Sequence, residues 1–322
     1  MALTLEGITT FTDFILEEQH THKRATGRFT LLLEQIARSA KVIGSHVRES
    51  GLADILGKAG HKNIFAEEQQ RLDVYSNSLL IKTLTASEQV YAIISEEEDH
   101  PVMVEKEHQG EYIVFLDPLD GSSNIDTNAP IGTIFSIYHK GGGLLQKGRD
   151  QIAAGYIMYG ASTMLVYTTG ERVDGFTLDP SIGSFLLSHP DIKIPEKGNI
   201  YSLNEANSLL YDAQTQAFLT NLKLQPDVTS RYVGSLIADI HRTLLKGGIF
   251  LYPADSKHTE GKLRLTIEVN PMALLVETAG GKVWTPQGNP LDIVPVDIHQ
   301  RFPVILGSKE NVVSYQSFYA SS

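Results

Sequence analysis

The stretch of the chain best suited to chemistry is 117–124, with the sequence Asp-Pro-Leu-Asp-Gly-Ser-Ser-Asn. Its carboxylates and hydroxyls are the oxygen donors that hard metal ions prefer, and amides near Gly121 can point at an anion. Residues 112–116 before it are β-branched, aromatic or aliphatic, which predicts a buried strand ending at Asp117. Because ligands in α/β sheets collect at strand carboxyl ends, we predict a site for metal and phosphate here. The alternative is an ordinary surface turn, since Asp, Pro and Gly are common in turns.

A second group of acids follows another predicted strand. Residues 90–94 form an apolar run of strand length, and 96–99 are all acidic. Alone, such a run is typical of a solvated loop. If Glu96 and Glu97 instead share a pocket with the acids of the first motif, their charges need cations between them. Oxygen ligands suit Mg²⁺ or Mn²⁺, and the chain has no cysteine that could form a thiolate site.

The composition is that of an ordinary globular protein. At 322 residues the chain exceeds the usual single core, which predicts two domains or one large layered unit. No apolar run approaches the roughly 18 to 20 residues of a membrane helix, and the first residues lack a signal-peptide pattern, so no membrane association is predicted. The absence of cysteine fits a cytoplasmic location. A formal net charge of −11 argues against nucleic acid as a partner.

The spacing of apolar residues predicts the helices near the start of the chain. It predicts two helices within 1–50, with Thr26-Gly27 as a start signal between them. A further helix is predicted over 72–84. Residues 51–70 lack steady periodicity and contain glycines, which predicts a mobile loop that closes over the site.

The rest of the chain predicts strands first and a mixture later. Short β-like runs occupy 90–177, and an apolar stripe predicts a helix over 236–245 that stops at a glycine pair. Pro, charge and Gly cluster at 195–198, which predicts an N-terminal domain of residues 1–198 and a C-terminal domain of residues 199–322. The aromatic tail at 304–320 packs either internally or at an interface.

The second half supplies the basic residues that the first half lacks. Lys262 and Arg264 alternate, which places both side chains on one face, and Glu268 follows. Each could be a solvated surface cation, but together they suit the charge of a sugar phosphate. A second candidate anion site combines a guanidinium, two phenols and an amide from Arg231, Tyr232, Tyr252 and Asn204. Two such sites are what a bisphosphate needs.

These motifs, in this order, resemble a known family. Glu96-Glu97 and, about twenty residues later, the 117–124 stretch resemble the metal-dependent, lithium-sensitive sugar phosphatase superfamily. The closer resemblance, over nearly the whole chain, is to class I fructose-1,6-bisphosphatase. It is carried by residues 71–77, 95–97, 117–126, 202–205, 230–235, 247–253, 261–264, 268–273 and 277–281. The resemblance implies an α/β fold of layered α/β/α/β/α type with mixed sheets, and an active site at the junction of the two domains.

The resemblance also implies Mg²⁺-dependent hydrolysis of the 1-phosphate of fructose 1,6-bisphosphate in a homotetramer built from two dimers. Two or three Mg²⁺ ions per subunit, replaceable by Mn²⁺, would be ligated by Glu96, Glu97, Asp117, the Leu119 carbonyl, Asp120 and Glu268. The 1-phosphate would be bound by Gly121, Ser122, Ser123 and Arg264, and the sugar by Asp120, Leu236 and Lys262. The 6-phosphate would be bound by Asn204, Tyr232, Tyr252 and Arg231 of a neighbouring subunit, with Asn207 in place of an expected tyrosine. Our hypothesis for the catalytic base is Glu97, helped by Asp73 and by Glu67 of the predicted loop.

Departures from the animal-type pattern concern the binding site of its inhibitor AMP. Thr26, Gly27 and Thr30 are present, and so is Tyr112. Glu111 and His139 stand where Lys and Arg are expected, and Arg28 stands where an acid is usual. Because Glu111 would repel a phosphate, we predict weak or absent inhibition by AMP, or a site rebuilt around Arg28.

Two alternatives stay open at this stage. The chain could prefer sedoheptulose 1,7-bisphosphate or another sugar phosphate, although the second anion site argues for a bisphosphate. It could also be a non-catalytic sugar-phosphate sensor, although a sensor has little need of five metal carboxylates.

Overall fold

The computed structural model describes residues 7–21, 27–49 and 64–320, and the side chains of residues 20, 21 and 64–71 lie outside that description. The α-helices in the described residues are α1 (Phe11–Thr21), α2 (Arg28–Glu49), α3 (Ile64–Ala86), α4 (Ala213–Lys223), α5 (Leu236–Lys246), α6 (Asn270–Thr278) and α7 (Lys309–Ala320). A π-helix, Leu265–Val269, leads directly into α6.

The first sheet has eight strands in the order β2-β1-β3-β4-β5-β6-β7-β8. Its strands are β1 (Val90–Ser95), β2 (Val102–Met103), β3 (Tyr112–Asp120), β4 (Ile131–His139), β5 (Ala153–Tyr159), β6 (Thr163–Thr168), β7 (Val173–Asp179) and β8 (Ser184–His189). Strands β1 and β3 are parallel and every other neighbouring pair is antiparallel, so the sheet is mixed.

The second sheet has five strands in the order β10-β9-β11-β15-β13. Its strands are β9 (Ile200–Ser202), β10 (Thr229–Ser230), β11 (Ile249–Tyr252), β13 (Lys282–Trp284) and β15 (Val304–Gly307). A separate antiparallel pair joins β12 (Leu263–Arg264) to β14 (Arg301–Phe302).

Side-chain alternation along β4 shows how the first sheet is covered. Phe135 and Ile137 pack in the core formed with α1, α2 and α3. Ile134, one residue along, lies in the core formed with α5 and α6 on the opposite face. Every second residue of a strand points to the same face, so the sheet is buried on both sides.

The same central helices also cover the second sheet. Phe250 and Leu306 of β11 and β15 share the core of α5 and α6, whereas Leu251 and Ile305 face α4 and α7. The order of layers is therefore α/β/α/β/α, which confirms the predicted fold class. Tyr315 of α7 is fully buried, so the tail left open in the sequence analysis packs internally.

One prediction about the first half needs adjustment. The helix predicted over 72–84 begins earlier, at Ile64, so residues 64–70 of the predicted loop are helical. Residues 65–71, Phe-Ala-Glu-Glu-Gln-Gln-Arg, have high intrinsic helix propensity, which apolar periodicity does not register. The remainder of that loop, 51–63, lies outside the described residues.

The predicted division into two domains after residue 198 falls between β8 and β9. It stays a prediction, because α5 and α6 pack against both sheets and join the two parts in one core.

No helix in the described part of the chain is long and apolar enough to cross a membrane.

A buried histidine pairs with a tyrosine between the first sheet and α5. The Nδ1 atom of His241 lies 2.7 Å from the Tyr156 hydroxyl. Burial, followed by the nearby His189 and Arg242, lowers the pKa of His241 to about 4. The imidazole is therefore neutral in the folded chain well below the ordinary histidine pKa of about 6.5.

This lowered pKa predicts a stability that depends on pH. Between about pH 6.5 and about pH 4 the unfolded chain binds a proton at His241 that the folded chain does not, so the free energy of unfolding falls as the pH falls. We expect His241→Asn to lower stability at neutral pH but to weaken this decline. Urea midpoints measured across that range, with the exposed His46→Gln as control, test it; an unchanged pH slope in His241→Asn would contradict the prediction.

Candidate active site

The parallel pairing of β1 and β3 brings the two acidic motifs together. Ser95 pairs with Leu116 in the register of these strands, and the Glu96 amide donates a hydrogen bond to the Leu116 carbonyl at 2.9 Å. Both strands therefore end at the same edge of the sheet. This geometry supports the prediction that Glu96 and Glu97 lie beside Asp117.

The segment Asp117 to Asp120 is strand rather than the turn considered in the sequence analysis. Strand β3 continues to Asp120, and its pairing with β4 shifts between Asp117 and Asp120. Pro118, which cannot donate a backbone hydrogen bond, fits such an irregularity. The Thr133 hydroxyl donates to the Pro118 carbonyl at 2.9 Å and supports the irregular backbone from the neighbouring strand. The turn begins only at Gly121, where φ is 73°.

The start of α5 holds Asp120 in place. Its Oδ2 atom accepts hydrogen bonds from the Ser235 hydroxyl at 3.0 Å and from the Ile237 amide at 3.1 Å. A β-carbon at Gly121 would lie 2.9 Å from that of Ser235, so the close approach requires glycine. Ser235 was not among the predicted site residues; a serine directly before an apolar helix is the N-cap signal that could have identified it. Leu236, which the resemblance placed against the sugar, is buried as the first residue of α5.

The π-helix adds a carboxylate and the adjoining strand adds a guanidinium. Glu268 is buried, and its Oε2 accepts the Arg264 backbone amide at 2.6 Å. The Arg264 guanidinium forms a tight ion pair with Glu96 and lies 3.9 Å from the Glu268 carboxylate. Arg264 thus lies against the acidic cluster, and its predicted contact with the 1-phosphate stays a prediction.

The acids of this cluster suppress one another's ionisation. Burial, then Glu96, raises the pKa of Glu268 to about 8. Burial also raises the pKa of Asp120 to about 6, although the hydrogen bonds from α5 oppose the rise. The pKa of Asp117 is raised well above its usual range by burial and by Glu96, Asp120 and Glu268 in turn.

An all-oxygen cluster of this kind fits a hard divalent cation. A cation between the acids would favour the ionised forms that burial and mutual repulsion disfavour. In the described residues no three His, Asp or Glu side chains already lie close enough together to hold a metal ion. Arg264 instead lies against Glu96 and Glu268. Leu119 is buried beside the cluster, and its amide donates to the Asp117 carboxylate at 3.0 Å.

The candidate base lies at the α3 side of this cluster. Burial, then Glu97, raises the pKa of Asp73 to about 6, while a hydrogen bond with Ser122 lowers it. Burial, then Glu96, likewise raises the pKa of Glu97. Asp73 therefore lies near both Glu97 and Ser122. The Glu67 side chain lies outside the described residues, and the roles of Glu97, Asp73 and Glu67 stay predictions.

A hydrogen-bonded link from α3 orders the turn that carries Glu96 and Glu97. The Ser95 hydroxyl donates to the Asn77 side-chain oxygen at 2.8 Å, and the Asn77 amide donates to Glu98 at 2.7 Å. The Glu97 amide in turn donates to the Ser95 hydroxyl at 3.3 Å. Asn77 and Glu98 were missed as site residues, because nothing in their spacing marks a contact between helix and turn.

The second predicted anion site is a cluster of phenols and amides. The Tyr211 hydroxyl donates to the Asn204 carbonyl at 2.9 Å, and the Asn207 side chain bonds the same tyrosine. Burial raises the pKa of Tyr252 to about 12, with Tyr232 as the next cause. Tyr211 was not predicted; it extends the cluster on the side where Asn207 replaces the expected tyrosine.

The two clusters adjoin one another. Glu268 and Asp120 also raise the pKa of Tyr252, and Asp120 contributes to the raised pKa of Tyr232, so phenols and carboxylates feel each other's charge. Lys262 lies nearby and pairs with Asp255 at 3.5 Å. Acids and phenolic hydrogen-bond donors therefore lie next to one another in this part of the structure.

Two predicted contact residues lie apart from these clusters. The Arg231 side chain is exposed and donates to the Ser230 carbonyl at 3.1 Å. Ser123 is also exposed, in the short 3₁₀ turn Ser122–Asn124. Both face solvent in this chain.

In the region predicted to be a degenerate AMP site, the charged side chains pair with one another. Glu111 lies 2.9 Å from the Lys140 ammonium and 3.7 Å from His139. The hydrogen bond from Lys140 is the main cause of its lowered pKa, and Arg28 contributes. Arg28 also lowers the raised pKa of Tyr112. Glu111 is thus an internal partner for the cations of this region.

The remaining residues of that region lie at the start of α2. Gly27 has φ of 78° and precedes the helix, and its carbonyl accepts the Leu31 amide at 3.0 Å. The Thr30 hydroxyl donates to Gln19 of α1 at 2.8 Å. Thr26 lies outside the described residues.

Comparisons with known proteins agree over most of the chain. The profile "Fructose-1-6-bisphosphatase, N-terminal domain" matches residues 9–190, and "Fructose-1-6-bisphosphatase, C-terminal domain" matches residues 194–320. "Fructose-1,6-bisphosphatase class 1" of Persephonella marina is 53% identical and covers 93% of this chain and 94% of its own length. "Fructose-1,6-bisphosphatase, cytosolic" of Brassica napus is 48% identical and covers 97% of this chain and 96% of its own length.

A solved structure supports the same assignment at the level of the fold. The holo form of fructose-1,6-bisphosphatase from Leishmania major superposes with a TM-score of 0.89 at 42% identity, covering 97% of this chain and 99% of that one. The layered sheets and the adjoining acidic and phenolic clusters thus occur in a chain related throughout its length to these phosphatases. The chain belongs to the fructose-1,6-bisphosphatase family, a family of phosphoric monoester hydrolases.

Proposed function

We propose that this chain hydrolyses the 1-phosphate of fructose 1,6-bisphosphate in a Mg²⁺-dependent reaction, giving fructose 6-phosphate and phosphate. The observation that carries the proposal is the proximity of the two clusters, in which the charges of Glu268 and Asp120 raise the pKa of Tyr252. One cluster suits a cation-assisted reaction at a phosphate, and the other supplies neutral donors for a second phosphate. A monophosphate substrate would leave the second cluster without a role.

The roles proposed for the residues follow this division. The metal ligands are Glu96, Glu97, Asp117, the Leu119 carbonyl, Asp120 and Glu268. The 1-phosphate is bound by Gly121, Ser122, Ser123 and Arg264, and the sugar by Asp120, Leu236 and Lys262. The 6-phosphate is bound by Asn204, Asn207, Tyr232 and Tyr252. Tyr211 supports this site through Asn204.

The carboxylates of the first cluster suit two or three Mg²⁺ ions, and Mn²⁺ could take their place. The chemistry that Mg²⁺ supplies at such ligands is Lewis-acid withdrawal of charge from phosphate oxygens. Arg264 adds a fixed positive charge on the same side, since its guanidinium already lies among Glu96 and Glu268. Burial strengthens these interactions with the transferred phosphate because the surroundings are poorly polarisable.

Proton transfer is proposed for Glu97. Its raised pKa makes the carboxylate a better proton acceptor than an ordinary glutamate, and Asp73 lies close enough for the Glu97 charge to raise its pKa as well. The turn that carries Glu97 is fixed by Ser95 and Asn77, which keeps the carboxylate in place. Glu67 is proposed as a further helper.

The assembly and setting are proposed from the family. A homotetramer would place Arg231 of one subunit in the 6-phosphate site of its neighbour, and the exposed position of Arg231 suits such a role. The cytoplasm and carbohydrate metabolism, in the direction of gluconeogenesis, are the setting proposed for this activity; the related Brassica napus protein is named cytosolic.

Phosphate release assays test the proposed reaction. We expect release from fructose 1,6-bisphosphate with Mg²⁺, none after chelation, and much slower release from fructose 1-phosphate, which leaves the phenolic cluster unpaired. Faster release from sedoheptulose 1,7-bisphosphate would replace the proposed substrate. No release at any metal concentration would favour a sugar-phosphate sensor.

Replacing Glu97 tests its assignment as the base. We expect Glu97→Gln to fold normally and to lower kcat by at least about a hundredfold, because the amide cannot accept the proton. The matched control is Glu98→Gln, one residue along, whose amide can still accept the hydrogen bond from Asn77. A kcat near that of the parent in Glu97→Gln, measured with saturating Mg²⁺, would refute the assignment.

The charges around Glu111 predict the response to AMP. Because Glu111 already pairs with Lys140 and His139, we expect AMP to inhibit weakly or not at all. Glu111→Lys should release these cations and increase sensitivity to AMP, which inhibition curves at fixed substrate would show. Micromolar inhibition of the parent chain, with phosphate contacts at residues 26–30, would contradict this and favour a site rebuilt around Arg28.

A further inference from the structure

Buried polar atoms without a hydrogen-bond partner are concentrated behind the π-helix. In the described residues nine buried side-chain atoms lack a partner at ordinary hydrogen-bond distance, and five of them belong to Ser136, Tyr138, Gln151 and Asn270, the last with both amide atoms. Asn270 nevertheless lies close enough to Tyr138 to lower the raised pKa of that phenol. Ser136, Tyr138 and Asn270 are 0% exposed and Gln151 is 7% exposed. Buried groups of this kind normally find a protein or water partner, since leaving them unsatisfied is costly.

These residues converge on one place in the fold. Ser136 and Tyr138 share a face of β4 with Ile134, whose core is formed with α5 and α6. Asn270 is the first residue of α6, and the Gln151 amide donates to the Asn270 carbonyl at 3.1 Å and to the Gly148 carbonyl at 2.6 Å.

Gly148 packs directly against this group. A β-carbon there would lie 2.7 Å from Asn270 Cγ. The polar atoms are thus enclosed between the sheet, the start of α6 and the 148–151 turn.

The chemistry of the atoms indicates the ligand. The amide of Asn270 offers both a donor and an acceptor, Gln151 offers an acceptor, and the hydroxyls of Ser136 and Tyr138 can do either. Internal waters typically make about three hydrogen bonds to such groups. We propose that Ser136, Tyr138, Gln151 and Asn270 form a site for ordered internal water that positions the π-helix carrying Glu268.

The link to Glu268 is through the backbone. The Asn270 backbone amide donates a hydrogen bond to the Leu265 carbonyl. This bond ends the π-helix, which contains Glu268. π-Helical turns are often placed at functional sites. Holding Asn270 through water and Gln151 therefore fixes the end of this turn, so Tyr138 and Gln151 are positioning residues. Their effect on metal binding rests on the proposed function, whereas the water site itself does not.

Tyr138→Phe tests the positioning role. It removes one water partner, and we expect Mg²⁺ affinity, measured by calorimetry without substrate and as half-saturation of activity, to fall by about tenfold, as for other groups that support metal ligands. The matched control is Tyr315→Phe, whose buried hydroxyl bonds Thr215 at 2.7 Å in the distant α4 and α7 core. It should lower the melting temperature but leave Mg²⁺ affinity unchanged. Equal Mg²⁺ affinities in Tyr138→Phe and Tyr315→Phe would overturn the positioning role.

A crystal structure of the full chain tests the water site without reference to activity. We expect solvent density within hydrogen-bond distance of Tyr138 Oη, Asn270 Oδ1 and Gln151 Oε1, and its loss or displacement in Gln151→Leu, together with a lower melting temperature. An absence of solvent density within hydrogen-bond distance of Gln151 Oε1, Ser136 Oγ and the Asn270 side chain would overturn the site. That result would leave the phosphatase activity untouched, so the two proposals fail separately.

Discussion

The repulsion among buried carboxylates is the constraint that the rest of this structure must satisfy. Asp117 and Glu268 are buried, Asp120 is partly buried beside them, and Asp120 and Glu96 disfavour the ionised forms of both buried acids. The fold answers with fixed positive partners that come from different elements. The start of α5 donates to Asp120, and Arg264 pairs with Glu96 and its own backbone amide donates to Glu268. Cations recruited from solution would complete this balance.

Each element of the site contributes what its geometry allows. The parallel strands β1 and β3 end at the same edge of the sheet and set the two acidic motifs side by side. Antiparallel pairing would place the carboxyl ends of these strands at opposite edges. The irregular end of β3 turns the chain at Gly121 close to Ser235. The π-helix presents Glu268 back towards its own first residues. The acids therefore meet through the ends of elements, where backbone amides are available to oppose their charge.

Sequence reasoning located the residues of the site better than it located the connections between them. The position of acids after two predicted strands pointed to Glu96, Asp117 and Asp120, and the alternation of Lys262 with Arg264, together with the family resemblance, added Arg264 and Glu268. Sequence reasoning did not identify Ser235 or Asn77, since the N-cap signal of Ser235 indicates a helix start and not its bond to Asp120, and a helical asparagine gains its role only from tertiary contacts. It also took Asp117 to Asp120 for a candidate turn, because local propensity does not register a proline accommodated by pairing shifts. Helix propensity extended α3 over residues where apolar spacing suggested a loop.

The central layer of α5 and α6 has a consequence for how the molecule could have been assembled or taken apart. Its helices are coded in the second half of the chain, yet they cover apolar faces of both sheets, as Ile134 and Phe250 in one core illustrate. A fragment that encodes either half alone would expose a large apolar surface that the other half normally buries. The two halves are therefore poor modules for recombination with foreign partners. Inheritance of this architecture as one piece keeps Asp120 and the helix that holds it in a single cooperative unit.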